Sequence, residues 1–501
     1  MEFMVPRLPL GSGDFEIYTA PGCGPAELRL HFLTVRMRDA DMQALEQASR
    51  RSGACSSPRP AANQVAPKEV ISELRRHVLT DGFRLVFDPA RSHGSFMVDA
   101  VTGREFIDLY GFYASQPIGF NHPRFACPEV EADLLTAAKV KVANCDTGTV
   151  QYATFVKTFA AVMGLAPLNR FFFIDGGTLA VENALKAAMD WKVRKNIARG
   201  LGERGTEIIH FEHAFHGRSG YALSLTNTDP RKTAYFPKFP WPRIPAPTID
   251  FSLAPAQRLQ PVAEKECLAE KCIRDVLRER GADVAAVIVE PIQGEGGDNH
   301  FRGEFLQTLR RICDESDVLL IFDEVQCGMG ITGRNWCCEH FGVSPDLLAF
   351  GKKAQVCGVM AGPRLDQVKD NCFRLSSRIS STWGGNFTDY VRSTHYLRII
   401  KDEQLVRNAE AQGNYLLNEL HGLARRNSMI SSVRGRGLLL AFDLPSSRAR
   451  DAFCKAALQQ GLLIVGSGER SIRLRPVLDV SAEVLDRAVV LLDAACHDVG
   501  S

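Results

Sequence analysis

The run Leu347-Leu348-Ala349-Phe350-Gly351-Lys352-Lys353 is an apolar strand that ends in a glycine and then in lysine. A lysine at the end of a buried strand is uncommon, because burying an ammonium is costly unless the group is paired or reacts. Taken alone, Gly-Lys-Lys describes two solvated loop lysines. A second run, Val318-Leu319-Leu320-Ile321-Phe322-Asp323-Glu324-Val325-Gln326, changes that reading. It is another strand of buried character, one βαβ unit upstream, and it ends in a carboxylate. A carboxylate and a lysine at the carboxyl ends of nearby parallel strands suit a pyridoxal phosphate site, with the lysine bonded to the aldehyde and the acid on the pyridine nitrogen. Lys352 is the candidate for the first role and Asp323 for the second.

Outward from these runs, strands and helices alternate. Strands are expected at 170–175, 207–211 and 284–289, and helices at 179–192, 268–280 and 304–316. Near-continuous apolar strands separated by helices predict an α/β fold whose mostly parallel sheet is covered on both faces. Ligands on such sheets sit beyond the carboxyl ends of the strands. Upstream, a helix at 69–76 and short strands at 84–87, 95–99 and 106–109, with a hairpin turn at 99–103, form a small β-rich module. After Asp389 a helix runs towards Asp402, and a further helix-and-strand module includes 435–442, 462–465 and 472–474.

Composition narrows the function. The chain has 501 residues, 45% of them apolar and 24% charged, as in ordinary globular proteins. A net charge of +2 argues against a nucleic-acid binder or a membrane-surface protein. No apolar run is long enough to span a bilayer. The fourteen cysteines are scattered, without a C-x-x-C pattern, which points to free thiols in a reducing compartment, the cytoplasm. Residues 1–66 differ from the rest: proline and glycine recur, and a Ser/Pro/Ala tract closes the segment. It lacks a secretory pattern and reads as an appended, partly flexible segment.

Several turns add polar groups around the Lys–Asp pair. Asp175-Gly176-Gly177-Thr178, between a strand and a helix, is a phosphate cradle by its chemistry: glycines let backbone N–H groups approach, and a helix N-terminus favours a dianion. Thr178 either caps the helix or donates to the phosphate. In Glu212-His213-Ala214-Phe215-His216-Gly217-Arg218, the three-residue steps from His210 through His213 to His216 do not aim at one metal ion, so no metal is expected. Phe215 either fills the core or stacks on a flat ring, and Arg218 is a candidate carboxylate fork. The glycines of Glu290-Pro291-Ile292-Gln293-Gly294-Glu295-Gly296-Gly297 let backbone pass close to a ligand, with the ionisable Glu295 beside it. Val325 can pack on a ring face and Gln326 can hydrogen-bond a phenolic oxygen. Ser381-Thr382-Trp383-Gly384-Gly385-Asn386 offers hydroxyls at a glycine turn, suited to a phosphate or carboxylate. Ile472-Arg473-Leu474-Arg475-Pro476 alternates as a strand with both arginines on one face, and outside this company they would read as surface residues.

Together these stretches resemble the class III (ω-amino acid) aminotransferases of fold type I, from about residue 70 to residue 495. Gly176-Gly177-Thr178-Leu179-Ala180-Val181-Glu182-Asn183-Ala184-Leu185-Lys186, Phe215-His216-Gly217-Arg218-Ser219-Gly220-Tyr221, Ser224-Leu225-Thr226-Asn227-Thr228, Phe236-Pro237-Lys238-Phe239, Gly351 through Met360, and Ser381 through Asn386 resemble the lysine-specific subgroup of that family. Gly176 stands where the broad class usually carries serine, as expected of this subgroup.

The resemblance implies a large domain, 116–388, around a mostly parallel seven-stranded sheet, and a small α+β domain built from both chain ends, 67–115 and 389–501. It implies pyridoxal 5'-phosphate as cofactor, Lys352 as the lysine bonded to it (rather than Lys353) and Asp323 on its pyridine nitrogen. Gln326 would contact the ring oxygen, Phe215 and Val325 would sandwich the ring, and Gly177 and Thr178 would bind the phosphate. Thr382 would join them from the neighbouring subunit, so a homodimer is needed to complete the site. Arg218 would hold the substrate carboxylate remote from the reacting carbon, with Ser381 among the substrate contacts. Glu295 and Arg473 would form a pair that is closed for L-lysine and opens for the α-carboxylate of 2-oxoglutarate. An ornithine or 4-aminobutyrate aminotransferase would use the same site with another donor. A catalytically silent cofactor-binding dimer is opposed by the intact Lys352, Asp323 and Gln326.

Overall fold

Six consecutive residues of Val284–Val289 are buried, as are all of Leu319–Asp323 and Leu347–Phe350, and these three strands form the centre of a seven-stranded sheet. The computed structural model describes residues 64–500. In spatial order the sheet runs Arg170–Ile174, Cys357–Ala361, Leu347–Phe350, Leu319–Asp323, Val284–Val289, Glu207–Phe211 and Arg243–Ile244. Only Cys357–Ala361 is antiparallel to its neighbours; the other adjacent pairs are parallel. The α/β class and the mostly parallel sheet are therefore as the sequence predicts.

The continuous apolar runs conceal a period of two. Leu320, Phe322, Leu348 and Phe350 enter one core with Phe155, Phe159, Phe173 and Trp336. Leu319, Ile321, Leu347 and Ala349 enter the other, with Ala180, Val181, Ala184, Leu185 and Trp191 of the helix Gly177–Ala198. Both faces are covered, so a polar residue on either would lose its water; each buried branched side chain contributes about 1.5–3 kcal/mol. The alanine-rich face of that helix lets its backbone lie close to the sheet.

A second, four-stranded antiparallel sheet is formed by Ser431–Arg436, Leu439–Asp443, Ser471–Leu474 and Val465–Ser467. The expected run 435–442 is thus a hairpin turning at Gly437, whose φ of 53° suits glycine. A three-stranded sheet joins Phe96–Val98 and Glu105–Asp108 to Leu462–Leu463, drawing on both ends of the described chain. No strand forms at 84–87. The Val86 N–H donates to the Asp99 side chain at 3.0 Å and only an isolated bridge, Phe87 to Asp99, remains. The described residues from 67 onward make one compact unit, within which the boundaries after 115 and 388 are a proposed subdivision. The expectation for the appended segment falls outside the described residues, except for its last three.

Candidate active site

Ala349 lies opposite Asp323 in the parallel ladder, so the end of one strand presents the carboxylate while its neighbour runs on to Gly351 and Lys352. A Cβ on Gly351 would lie 2.8 Å from Cys357 Sγ and 3.4 Å from Val325 Cγ1, which is why the strand ends in glycine. Lys352 then adopts φ 48°, a left-handed conformation that costs a non-glycine residue of order 1 kcal/mol and is typical of functional sites. Among the described residues nothing hydrogen-bonds its ammonium. Burial, and then the charge of Arg473, lower its pKa to about 8. Lys353, by contrast, is buried and donates to the Gln116 carbonyl at 2.6 Å, tying the segment that follows the short helix Gly111–Ala114 to the strand end.

Asp323 is 5% exposed and doubly held. Its Oδ2 is 2.8 Å from His216 Nδ1, and its Oδ1 accepts the Val325 N–H at 3.0 Å. Glu290 lies behind it, accepting the Phe215 N–H at 2.9 Å and the Gly294 N–H at 3.1 Å. Burial, and then the Asp323 carboxylate, push Glu290 well above the usual carboxylate range. Through these two bonds it fastens two ligand-side loops behind Asp323. The three histidines separate in role: His216 serves Asp323, His210 Nε2 accepts from Arg243 at 3.2 Å, and His213 is exposed.

The phosphate cradle is open at its donors. Gly176, with φ 95°, is the N-cap of the 22-residue helix Gly177–Ala198 and no side chain caps it. Thr178 sits inside the first turn and does not cap the helix. A Cβ on Gly177 would lie 2.8 Å from Val325 Cγ1, and one on Gly217 would lie 2.5 Å from Thr178 Oγ1. Uncapped first-turn N–H groups and a positive helix end beside a hydroxyl fit a phosphate dianion. Phe215 and Val325 are both partly exposed here, and Lys232 Nζ stands 5.5 Å from the centre of the Phe215 ring. An amine free of partners, a carboxylate at a strand end and a glycine-lined cradle together fit pyridoxal phosphate.

Of the remaining residues, Lys232, Glu295 and Arg473 form the mouth, Lys232 through its place by Phe215 and its pair with Glu295, and Arg473 through its charge on Lys352. Arg218 is exposed and makes no ion pair or hydrogen bond among the described residues. Thr382 is exposed and its hydroxyl has no partner within the described chain, while Ser381 Oγ accepts the Gly384 N–H at 3.0 Å within its own turn. Both arginines of 472–475 are buried, which corrects the surface alternative. Arg473 packs 5.3 Å from the Tyr113 ring centre, and its Nε is buried without a partner. The expected ion pair between Glu295 and Arg473 is not formed in this state. Glu295 is paired with Lys232 instead, leaving its second oxygen buried and unpaired. Lys232 ends the short 3-10 helix Pro230–Lys232, 63 residues upstream of Glu295, and the sequence carried no signal that the two would meet. His216 and Glu290 were visible in their motifs, but their roles depend on contacts across the sheet.

The family profile for class III aminotransferases matches residues 81–496, and the chain belongs to that family of pyridoxal phosphate-dependent transaminases. Within it, the chain is 46% identical over 438 residues to the L-lysine-epsilon aminotransferase of Mycobacterium tuberculosis (strain ATCC 25618 / H37Rv), covering 87% of this chain and 97% of that protein. It is 47% identical over 431 residues to the L-lysine-epsilon aminotransferase of Streptomyces clavuligerus, covering 85% and 93%. The solved structure of lysine aminotransferase from M. tuberculosis superposes with a TM-score of 0.85 at 46% identity, covering 87% of this chain and all (100%) of that one.

Proposed function

We propose that this protein transfers the ε-amino group of L-lysine to 2-oxoglutarate, giving L-glutamate and 2-aminoadipate 6-semialdehyde, which cyclises to piperideine-6-carboxylate. The observation that carries the choice of lysine is the near-full-length likeness to enzymes named for that amine. The unpaired guanidinium of Arg218 supports it: a substrate that reacts at its terminal amine needs its carboxylate anchored several bonds away. In this reading the enzyme works in the cytoplasm as a homodimer, with Thr382 of one subunit completing the phosphate site of the other.

Bound pyridoxal phosphate supplies an electron sink for the bond broken at the amine-bearing carbon. The protein supplies position and proton traffic. Lys352 Nζ, its pKa lowered to about 8 by burial and then by the charge of Arg473, would be the group that moves the proton from lysine Cε. Asp323, oriented by His216, holds the pyridine nitrogen protonated, and Gln326 contacts the ring oxygen. Phe215 and Val325 close the two ring faces, while Gly177 and Thr178 bind the phosphate. Arg218 anchors the lysine carboxylate, Ser381 is a further substrate contact, and Arg473 receives the α-carboxylate of 2-oxoglutarate in the second half of a ping-pong cycle. Glu295 covers Arg473 while lysine is bound, so that the wrong end of lysine is not drawn in.

The test is a donor ranking with 2-oxoglutarate as acceptor, following glutamate and the cyclised product. Lysine should lead; ornithine or 4-aminobutyrate turning over faster would overturn the choice of donor.

A further inference from the structure

Arg475 is the largest fully buried charged side chain among the described residues, at 0% exposure, and the proposed mechanism leaves it without a task. Its Nη1 donates to the Leu440 and Leu474 carbonyls at 3.0 and 2.9 Å. Its Nη2 is paired with Asp298, itself buried. What remains of the fork faces Gln326: Nε and Nη2 lie 3.3 and 3.2 Å from Gln326 Oε1.

A guanidinium has donors only. The Gln326 atom that faces it must therefore be the carbonyl oxygen, as the contacts to Oε1 have it. The amide is also confined from the side, since a Cβ on Gly294 would lie 2.5 Å from Oε1 and 2.9 Å from Nε2. Gln326 is partly exposed at the cleft, and among the described residues its NH2 makes no hydrogen bond.

We infer that Arg475 is a positioning residue: it pins the Gln326 carbonyl so that the amide NH2 is the group offered to the cofactor's ring oxygen. A donor there selects an oxygen that accepts, so the ring oxygen is held in its anionic state. A freely turning glutamine could offer its carbonyl instead and favour the protonated phenol. Asp298 is what fixes the guanidinium, and the Asp298 carbonyl is in turn held by Arg434 Nε at 2.9 Å. The chain of contacts runs from the C-terminal sheet to the strand end that carries Asp323. The inference rests on the proposed contact between Gln326 and the ring oxygen.

The experiment is a pH titration of the visible absorption band of the loaded full-length protein, paired with the Kd of pyridoxal phosphate for the apo-protein. Losing a donor to an anionic oxygen favours the protonated form, so the midpoint should move up. Arg475→Lys keeps a charge beside Asp298 but cannot span both partners. We expect its midpoint to rise by about one pH unit and its Kd to rise by about tenfold, the scale of one charge-assisted hydrogen bond. Gln326→Met removes the amide and keeps the volume. An upward shift marks the lost group as a donor; no shift, or a downward one, marks it as an acceptor and overturns the inference even if the Arg475 variant fails to fold. A lower melting temperature in Arg475→Lys with an unmoved midpoint assigns Arg475 a structural role only and also overturns it. If the unmodified protein shows no visible band lost on Lys352→Ala, the cofactor reading itself has failed, separately from this inference.

Discussion

At the strand-end wall of the cleft, Lys352 and Asp323 stand on adjacent parallel strands in fixed register, with Ala349 opposite Asp323. At the mouth, Tyr113, Lys232, Glu295 and Arg473 come from four separate segments and meet in two pairs, Glu295 with Lys232 and Arg473 with Tyr113. The wall is backed by two dry cores, and any shift of its side chains would have to move a sheet. The mouth is held by contacts between charged side chains, and a charge can exchange partners by rotating a side chain. Covalent chemistry needs the first kind of construction, because small misplacements of reacting atoms are costly. Alternating recognition of two different substrates needs the second.

The comparison is most exposed at Lys352. Lys352→Ala should abolish the visible cofactor band and lower turnover by at least roughly 10³-fold, since both nucleophile and proton carrier are lost. A retained band would show that the wall is not where the cofactor is bonded. Asp323→Asn should cost on the order of 10²-fold in kcat, the scale of removing one preorganised electrostatic partner. Its supporter acts only through it, so His216→Phe should lose about tenfold, in line with an outer partner.

Effects at the mouth should be smaller and unequal between the half-reactions. Lys232→Met releases Glu295 to reach Arg473. The KM for 2-oxoglutarate should rise by about tenfold while that for lysine stays within about twofold, consistent with one ion pair exchanged. Equal changes in both constants would mean that the mouth does not discriminate between the substrates as described.

The smallest effect links the two regions. Because the Lys352 pKa is lowered to about 8, its neutral amine is present well below the ordinary lysine range. The rate at which the apo-protein captures pyridoxal phosphate should therefore climb by about tenfold per pH unit below pH 8 and level off above it. Arg473 is the second cause of the lowering after burial, so Arg473→Met should move the inflection upward. An unmoved inflection, read by rapid-mixing absorbance, would uncouple the mouth from the wall.

Much of the wall was legible because its signals are local. Buried strands advertise themselves as apolar runs, and the residue that follows each run is placed by the sheet, as with Asp323 and Lys352. The strand at 357–361 was not expected from the sequence: it is short and carries Gly358, and its antiparallel pairing beside Leu347–Phe350 depends on the short turn Lys352–Ala354. At the mouth the residue types pointed to carboxylate handling, but the partner of Glu295 did not follow from them. Arg473 and Arg475 alternate as any exposed pair would, and nothing in four residues of strand says that both sides of it are covered.

The sequence by itself determined the α/β class, the order of the strands along the chain and the carboxyl-end position of Lys352 and Asp323. Hydrophobic periodicity, glycine stops and the geometry of a parallel sheet act over a few residues. The tertiary structure decided that His216 orients Asp323, that Glu290 is a buried acid joining two loops, that Lys232 occupies Glu295, and that Arg475 faces the Gln326 carbonyl. Each of these rests on a hydrogen bond or ion pair between segments far apart in the chain. Such contacts are fixed only when the two sheets have packed and water has been excluded from between them.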